Sequence, residues 1–132
     1  MSTSRGTATS LTSRWRPPLA WAGVILVLTS WPSSSFGNQV TGADKVAHLG
    51  LYGVLGFLVA RALLLPRRRV VMVAALAWIT VFAMLDELHQ HWIPGRDASI
   101  ADWAADILGA TLGLLAATYL FSLAPRRPDP TT

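Results

Sequence analysis

The sequence predicts an all-α integral membrane bundle of four transmembrane helices with both termini in the cytoplasm. Of the 132 residues, 52% are hydrophobic and 14% are charged, against roughly a quarter charged in soluble domains. The apolar residues form four segments whose lengths are near those of membrane-spanning helices, which need about 20 residues to cross a bilayer. These segments occupy most of the chain, which excludes a large domain outside the membrane.

The first predicted helix contains the shortest apolar run of the four. Residues 1–16 are rich in Ser, Thr and Arg without periodic apolar positions, so we expect a disordered basic leader. A first helix is predicted at about residues 17–31, around the short apolar run from Leu19 to Leu28. This segment fits either an uncleaved membrane helix or a secretory signal peptide. The region after Trp31 lacks a clear small-x-small cleavage motif, which favours the uncleaved helix.

Proline and glycine residues divide the rest of the chain into three longer helices. The predicted spans are 44–65, 70–91 and 100–123, ended or separated by Pro66, the Pro94-Gly95 turn and Pro125. Residues 17–124 therefore form one membrane domain, and residues 125–132 form a disordered tail.

Basic residues fix the expected orientation. Arginines precede the first helix, separate the second from the third and follow the fourth, which places these three segments in the cytoplasm. The net charge is +4, and the basic and acidic residues separate between the two sides of this topology, so nucleic acid is not an expected partner. The absence of cysteine excludes disulfides, thiolate metal sites and cysteine nucleophiles.

Polar side chains gather near the outer ends of the last three helices. The candidate pocket residues are Asp44, Lys45, His48 and Tyr52 in the second helix, Asp86, Glu87, His89 and Gln90 in the third, Arg96 in the following loop, and Asp102 and Asp106 in the fourth. Ionisable groups near a hydrophobic boundary are costly and usually mark partners or function. We therefore expect an outward-facing polar pocket shared by three helices.

Several of these residues also have simpler structural explanations. Asp44 and Asp102 each occupy the third helical position after a Thr or Ser, where a carboxylate completes a capping box. His89 fits a hydrated loop residue, and Arg96 fits a structural ion pair. Gly56, Gly109 and Gly113 are predicted to allow close helix packing.

Three kinds of chemistry fit the pocket. Carboxylates with histidine suit a hard or borderline divalent metal, although no known ligand signature occurs. A metal-free site would use His48 or His89 as acid or base, with Arg96 and Lys45 holding an anionic head group. A proton or ion path is disfavoured because the inner halves of the helices are almost wholly apolar. The sequence specifies neither a metal nor a cofactor.

The motifs of this region resemble those of the VanZ-like family of bacterial membrane proteins. They are Asp44-Lys45-Val46-Ala47-His48, Tyr52-Gly53-Val54-Leu55-Gly56, Asp86-Glu87-Leu88-His89-Gln90, Pro94-Gly95-Arg96, Asp102 and Gly109-Ala110-Thr111-Leu112-Gly113. The resemblance covers about residues 44–116, with several motifs in the family's order and spacing. One position departs from it, since Asp106 stands where the family has Asn.

The resemblance implies a multi-pass protein of the bacterial cell membrane, similar to the one that gives the family its name through low-level teicoplanin resistance. It implies no particular reaction. We expect the pocket to bind an anionic lipid or a lipid-linked cell-wall precursor head group. One alternative is a non-catalytic accessory subunit that packs through its glycine-lined face on a larger membrane protein, or on copies of itself. A second is a hydrolase or transferase of lipid-linked phosphates, with Asp86 and Glu87 as metal ligands or base and His48 as proton carrier.

Overall fold

The computed structural model describes residues 11–32, 42–63 and 69–123. These residues form four helices, namely α1 (Leu11–Thr29), α2 (Ala43–Leu63), α3 (Arg69–Gln90) and α4 (Ile100–Leu123). No strand occurs among the described residues, which confirms the predicted all-α class.

The first helix differs most from its prediction. α1 begins at Leu11, so the expected disordered leader is wrong over residues 11–16, and Pro17 and Pro18 lie inside the helix. The turn before the prolines is retained because Trp15 packs against the hydrophobic core, which offsets the backbone hydrogen bonds that two prolines remove. Residues 1–10 and the predicted tail at 125–132 lie outside the described residues.

The later helices agree closely with their predicted bounds. α3 starts and ends within one residue of the expected span, and α4 matches it at both ends. α2 starts one residue early, and its predicted end at residue 65 lies outside the described residues. Gly95 adopts a positive φ of 77° in the turn between α3 and α4, a conformation that glycine adopts without a steric penalty.

Contacts between helices give an up-down-up-down arrangement. α2 and α4 run parallel, since Lys45 meets Asp102 and His48 meets Asp106. α3 runs antiparallel to α4, because the indole N–H of Trp103 donates to the Thr80 carbonyl at 3.2 Å while Glu87 lies beside the start of α4.

α1 completes the arrangement by running antiparallel to α2. The indole N–H of Trp21 donates to the Leu51 carbonyl at 2.9 Å, and Thr29 at the end of α1 reaches Asp86 near the end of α3. The starts of α2 and α4 and the ends of α1 and α3 therefore lie together. We call this the polar end of the bundle, and the opposite end the basic end.

Glycines bring α2 and α4 into direct backbone contact. A Cβ built on Gly56 would overlap the Ala110 carbonyl oxygen, and one built on Gly109 would overlap that of Leu49. A Cβ on Gly113 would overlap the Gly53 carbonyl oxygen. The small residues are therefore used inside the chain, where they let the two parallel helices approach closely.

The distribution of polar and apolar side chains is inverted relative to a soluble protein. Asp86 and Asp106 are 1% and 0% exposed, whereas Val73 and Trp78 on α3 are 67% and 77% exposed. Helices α2, α3 and α4 are long and apolar enough to cross a membrane, and α1 is not among the described helices that meet this criterion. A fourth span and the location of the termini stay predictions.

Candidate functional site

Polar side chains from all four helices meet at the polar end. We call this group the polar cluster, and its members are Thr29 of α1, Lys45, His48 and Tyr52 of α2, Asp86, Glu87 and Gln90 of α3, and Asp102 and Asp106 of α4. All of them are buried except Lys45, whose side chain is 44% exposed. Lys45 and Asp102 therefore form the side of the cluster that is open to solvent.

The α2 members lie three and four residues apart, so they share one face of the helix. At the outermost level, Lys45 Nζ lies 2.8 Å from Asp102 Oδ1 and 3.2 Å from Asp44 Oδ2. Asp44 is half-buried and belongs only to this outer pair. The lysine thus neutralises charge at the rim of the cluster.

One turn deeper, His48 links α2 to α4 and α3. Its Nδ1 lies 2.9 Å from Asp106 Oδ1 and 3.7 Å from Glu87 Oε1. The other carboxylate oxygen of Asp106, Oδ2, is buried and has no hydrogen-bond partner among the described residues. The centre of the cluster therefore holds an imidazole between two carboxylates, one of them incompletely satisfied.

Asp86 joins α1 to the cluster. The Thr29 hydroxyl lies 2.7 Å from Asp86 Oδ1, and the Tyr52 hydroxyl donates to Asp86 Oδ2 at 3.1 Å. Each oxygen of this buried carboxylate thus has a hydroxyl donor. Hydrogen bonds to charged groups are among the stronger ones in proteins, so these contacts fix the end of α1 against α2 and α3.

Glu87 connects the cluster to the loop between α3 and α4. Its Oε2 accepts the backbone N–H of Ser99 at 2.8 Å, and its Oε1 accepts from Gln90 Nε2 at 3.3 Å. Arg96 lies beyond them, donating from Nη1 to Gln90 Oε1 at 3.0 Å and from Nε to the Trp31 carbonyl at 3.2 Å. The arginine closes the loop side of the cluster and makes no ion pair among the described residues.

The capping explanation for Asp102 applies only in part. Ser99 Oγ accepts the Asp102 backbone N–H at 3.2 Å, as a capping residue does. The reciprocal bond of a capping box would run from the Ser99 N–H to the Asp102 carboxylate, yet that N–H donates to Glu87. The Asp102 carboxylate is consequently available to Lys45 and to the centre of the cluster. Thr41, which is the corresponding capping position before α2, lies outside the described residues.

Sequence reasoning placed one residue in the pocket that lies elsewhere. The His89 side chain is exposed and takes no part in the hydrogen bonds of the cluster, because Asp86, Glu87 and Gln90 occupy the inward face of α3. Thr29 was not expected in the cluster, and the Ser99 N–H was not expected to bond Glu87. The only signal for Thr29 is a hydroxyl at the end of an apolar run, and such a residue more often bonds its own helix.

Three members of the cluster have the geometry of metal ligands. One ligand atom from each of His48, Glu87 and Asp102 lies within 4.8 Å of the other two. The unpartnered oxygen of Asp106 belongs to the carboxylate that bonds His48. Any cation held by the protein at the polar end would find these oxygen and nitrogen donors already close together.

An apolar groove lies beneath the cluster, between α1, α2 and α3. Its volume is about 540 Å³, and it extends from Trp15 and Val71 near the basic end to Ile79 and Phe82. The ring of Phe82 contacts that of Tyr52, with centroids 6.1 Å apart. Since Tyr52 bonds Asp86, the groove ends where the polar cluster begins.

Apolar helices that turn their ionisable side chains inward and their large hydrophobic side chains outward define a membrane protein. Comparison with protein families identifies which one. The VanZ/LLP1 family model matches residues 2–122, so the chain belongs to this family. The match extends the resemblance from residues 44–116 to nearly the whole chain, including α1. Comparison with curated proteins gave no match, and neither did comparison with solved structures.

Proposed function

We propose that the chain is a multi-pass protein of the bacterial cell membrane whose polar cluster faces outward. In this proposal the polar cluster binds the head group of an anionic lipid or of a lipid-linked cell-wall precursor. Four helices span the membrane, and both termini lie in the cytoplasm. Family membership supports a membrane protein, and the described arginines of α1, the end of α2 and the start of α3 lie at the basic end, as cytoplasmic residues do.

The observation that carries the proposal is the convergence of polar side chains from four helices at one end of an otherwise apolar bundle. Burying ionisable groups is costly, and inside membrane proteins such groups usually mark binding or transport sites. Two cationic side chains, Lys45 and Arg96, border the cluster and are partly exposed. Their ammonium and guanidinium groups suit a phosphate or carboxylate that approaches from the membrane surface.

The apolar groove supports a lipid as the ligand. A lipid has a charged head group and a hydrocarbon chain, and the bundle offers a polar cluster for the first and an apolar groove for the second. Tyr52 and Phe82 lie at the junction of the two surfaces. A soluble anion would use the polar end alone, so the groove favours a ligand that is anchored in the membrane.

A protein of this kind would influence access to the cell surface. If it holds a cell-wall precursor by its head group, a glycopeptide antibiotic that targets the same precursor meets a smaller free pool. We therefore propose a role in low-level glycopeptide resistance, as the family resemblance implies.

The accessory-subunit alternative has less support. It depended on a glycine-lined face that packs against another protein, but Gly56, Gly109 and Gly113 already pack between α2 and α4. The small-residue surface is therefore occupied within the chain.

Lipid binding by the purified protein tests the proposal. Native mass spectrometry in detergent would compare retention of phosphatidylglycerol and of a polyprenyl phosphate by the wild type, Lys45→Gln and Arg69→Gln. Lys45 lies at the rim of the cluster, whereas Arg69 is exposed at the basic end. Losing one charged hydrogen bond costs about 1.5–3 kcal/mol, so we expect about a 10- to 100-fold loss of affinity in Lys45→Gln.

The control variant separates head-group binding from general attraction between basic proteins and anionic lipids. Equal retention by Lys45→Gln and wild type, or the same loss in Arg69→Gln, would contradict the proposed site. Circular dichroism of each variant would establish that the helices are intact. In cells, protection against teicoplanin should be lost in Lys45→Gln and kept in Arg69→Gln.

A further inference from the structure

The polar cluster holds more negative than positive charge. Four of its carboxylates are buried, those of Asp86, Glu87, Asp102 and Asp106. Among the described residues, the lysine or arginine that contacts them is Lys45, which bonds Asp102 of these four. Buried carboxylates without cationic partners are strongly unfavourable, and a phosphate head group would add further negative charge to the same place.

Hydrogen bonds satisfy some of these carboxylates but not all. Asp86 accepts from the hydroxyls of Thr29 and Tyr52. Glu87 accepts from a backbone N–H and from Gln90. Asp106 is 0% exposed, yet its Oδ2 has no donor among the described residues. Such a buried oxygen has lost its hydrogen bonds to water without gaining others, and a bound cation would provide the missing partner.

The donor atoms are arranged closely enough for a single ion. One atom each of His48, Glu87 and Asp102 lies within 4.8 Å of the others. Ligands bound at about 2.0–2.2 Å in a tetrahedral site are about 3.4 Å apart, so the three groups would have to close by at most about 1.4 Å around an ion. His48 Nδ1 is also 2.9 Å from Asp106 Oδ1, so the fourth carboxylate contacts one of the three groups directly.

The donor types select a class of metal. Carboxylate oxygens suit hard cations such as Mg²⁺ and Mn²⁺, while an imidazole favours Zn²⁺ and its neighbours in the first transition series. One histidine with two or three carboxylates is thus a borderline set, best matched by Zn²⁺ or Mn²⁺. A carboxylate bonded to a ligating histidine is also a recurrent feature of metal sites, since it orients the ring.

We infer that the polar cluster binds one divalent transition-metal ion through His48, Glu87 and Asp102, with Asp106 completing or orienting the ligand set. The ion offsets two of the four buried negative charges, and Lys45 offsets a third. A second part of the inference rests on the proposed function. In that function, the ion presents positive charge to the phosphate of a head group at the open, Lys45 side of the cluster. The ion thereby places positive charge beside Lys45, at the side from which an anionic head group would approach.

Metal binding by the full chain without added lipid tests the inference directly. Protein purified with a histidine-free tag and treated with chelator would be titrated with ZnCl₂ or MnCl₂ by calorimetry. The chain has no cysteine, so thiols do not compete. We expect one ion per chain, weakened about tenfold or more in Glu87→Gln. Asp97→Asn, a change at an exposed carboxylate of the nearby loop, should bind as the wild type does.

Asp102→Asn covers the case in which Glu87→Gln does not fold. The Asp102 side chain is 12% exposed and lies at the open side of the cluster, so its amide is tolerated more easily, and the same loss of metal affinity is expected. Failure of the wild type to bind either ion at millimolar concentration would overturn the inference. So would unchanged affinity in both cluster variants, or a loss in Asp97→Asn equal to theirs.

Lipid retention with and without chelator separates this inference from the proposed function. If polyprenyl phosphate binds equally well in both conditions, the ion has no role in holding the head group, and the proposed function stands. If the ion binds but neither polyprenyl phosphate nor phosphatidylglycerol is retained, the metal site stands and the head-group function fails.

Discussion

The contact between α2 and α4 leads to a sharp prediction about two glycines. Gly113→Ala should destabilise the bundle, whereas Gly50→Ala on α2 should not. A Cβ at residue 113 would overlap the Gly53 carbonyl oxygen and lie 2.8 Å from Phe57 N, whereas no atom of the described residues lies within 4 Å of a Cβ at residue 50.

The size of the effect follows from these distances. Ordinary van der Waals contact begins near 3.4 Å, so clearing Phe57 N alone requires the backbones to separate by about 0.6 Å, and clearing the nearer Gly53 carbonyl oxygen requires more. Backbone atoms of a helix cannot swing aside as a side chain can, and a gap of 0.5–1 Å forfeits roughly a quarter to a half of each contact energy. Overpacking of this kind costs about 1–3 kcal/mol. Both substitutions share the gain of about 1 kcal/mol from replacing a helical glycine, so the difference between them isolates the packing cost.

Thermal and denaturant unfolding in detergent, followed by circular dichroism, would measure that difference. Separation of the helices should also stretch the pairs between His48 and Asp106 and between Lys45 and Asp102, so metal or lipid binding should weaken in the same variant. Equal stability of Gly113→Ala and Gly50→Ala would refute the close backbone contact of α2 and α4.

Three further outcomes are expected. Thr29→Val should lose about 1–3 kcal/mol of unfolding free energy because Asp86 loses a donor. Thr118→Val should stay within about 0.5 kcal/mol, because among the described residues its hydroxyl bonds carbonyls of its own helix. Equal effects of the two substitutions would show that the hydroxyl of Thr29 does not hold α1 to the cluster. The intact mass of the membrane-extracted protein should include α1, and a mass that lacks it would establish signal-peptide cleavage. Ala98→Cys should react with an impermeant thiol reagent added to whole cells while Arg69→Cys should not, and the reverse labelling would invert the orientation.

Much of the fold could be predicted because single residues ended each helix. Pro94 and Gly95 separate α3 from α4, and the bounds of α4 matched their prediction. The start of α1 could not be predicted in this way. Pro17 and Pro18 look like a helix start, since proline suits the first turn, and only tertiary packing of Trp15 explains why the helix begins earlier.

Most members of the candidate site could be predicted from the sequence, but their pairing could not. Helical spacing placed Lys45, His48 and Tyr52 on one face, and the structure joins them to Asp102, Asp106 and Asp86 in that order. Periodicity did not separate His89 from Gln90, because both lie in a polar stretch at the end of α3. The rotation of α3 against its neighbours exposes the histidine and buries the glutamine.

By itself the sequence determined that the chain is helical, that its helices suit a membrane, and that its ionisable groups collect toward one end, because composition and spacing act along a single helix. Only the tertiary structure decided which carboxylate meets the histidine and which one stays without a donor. It also decided that α1 contributes a hydroxyl. These contacts join residues as far apart as 57 and 58 positions. Their geometry depends on how closely the glycines let α2 and α4 approach, which no local pattern encodes.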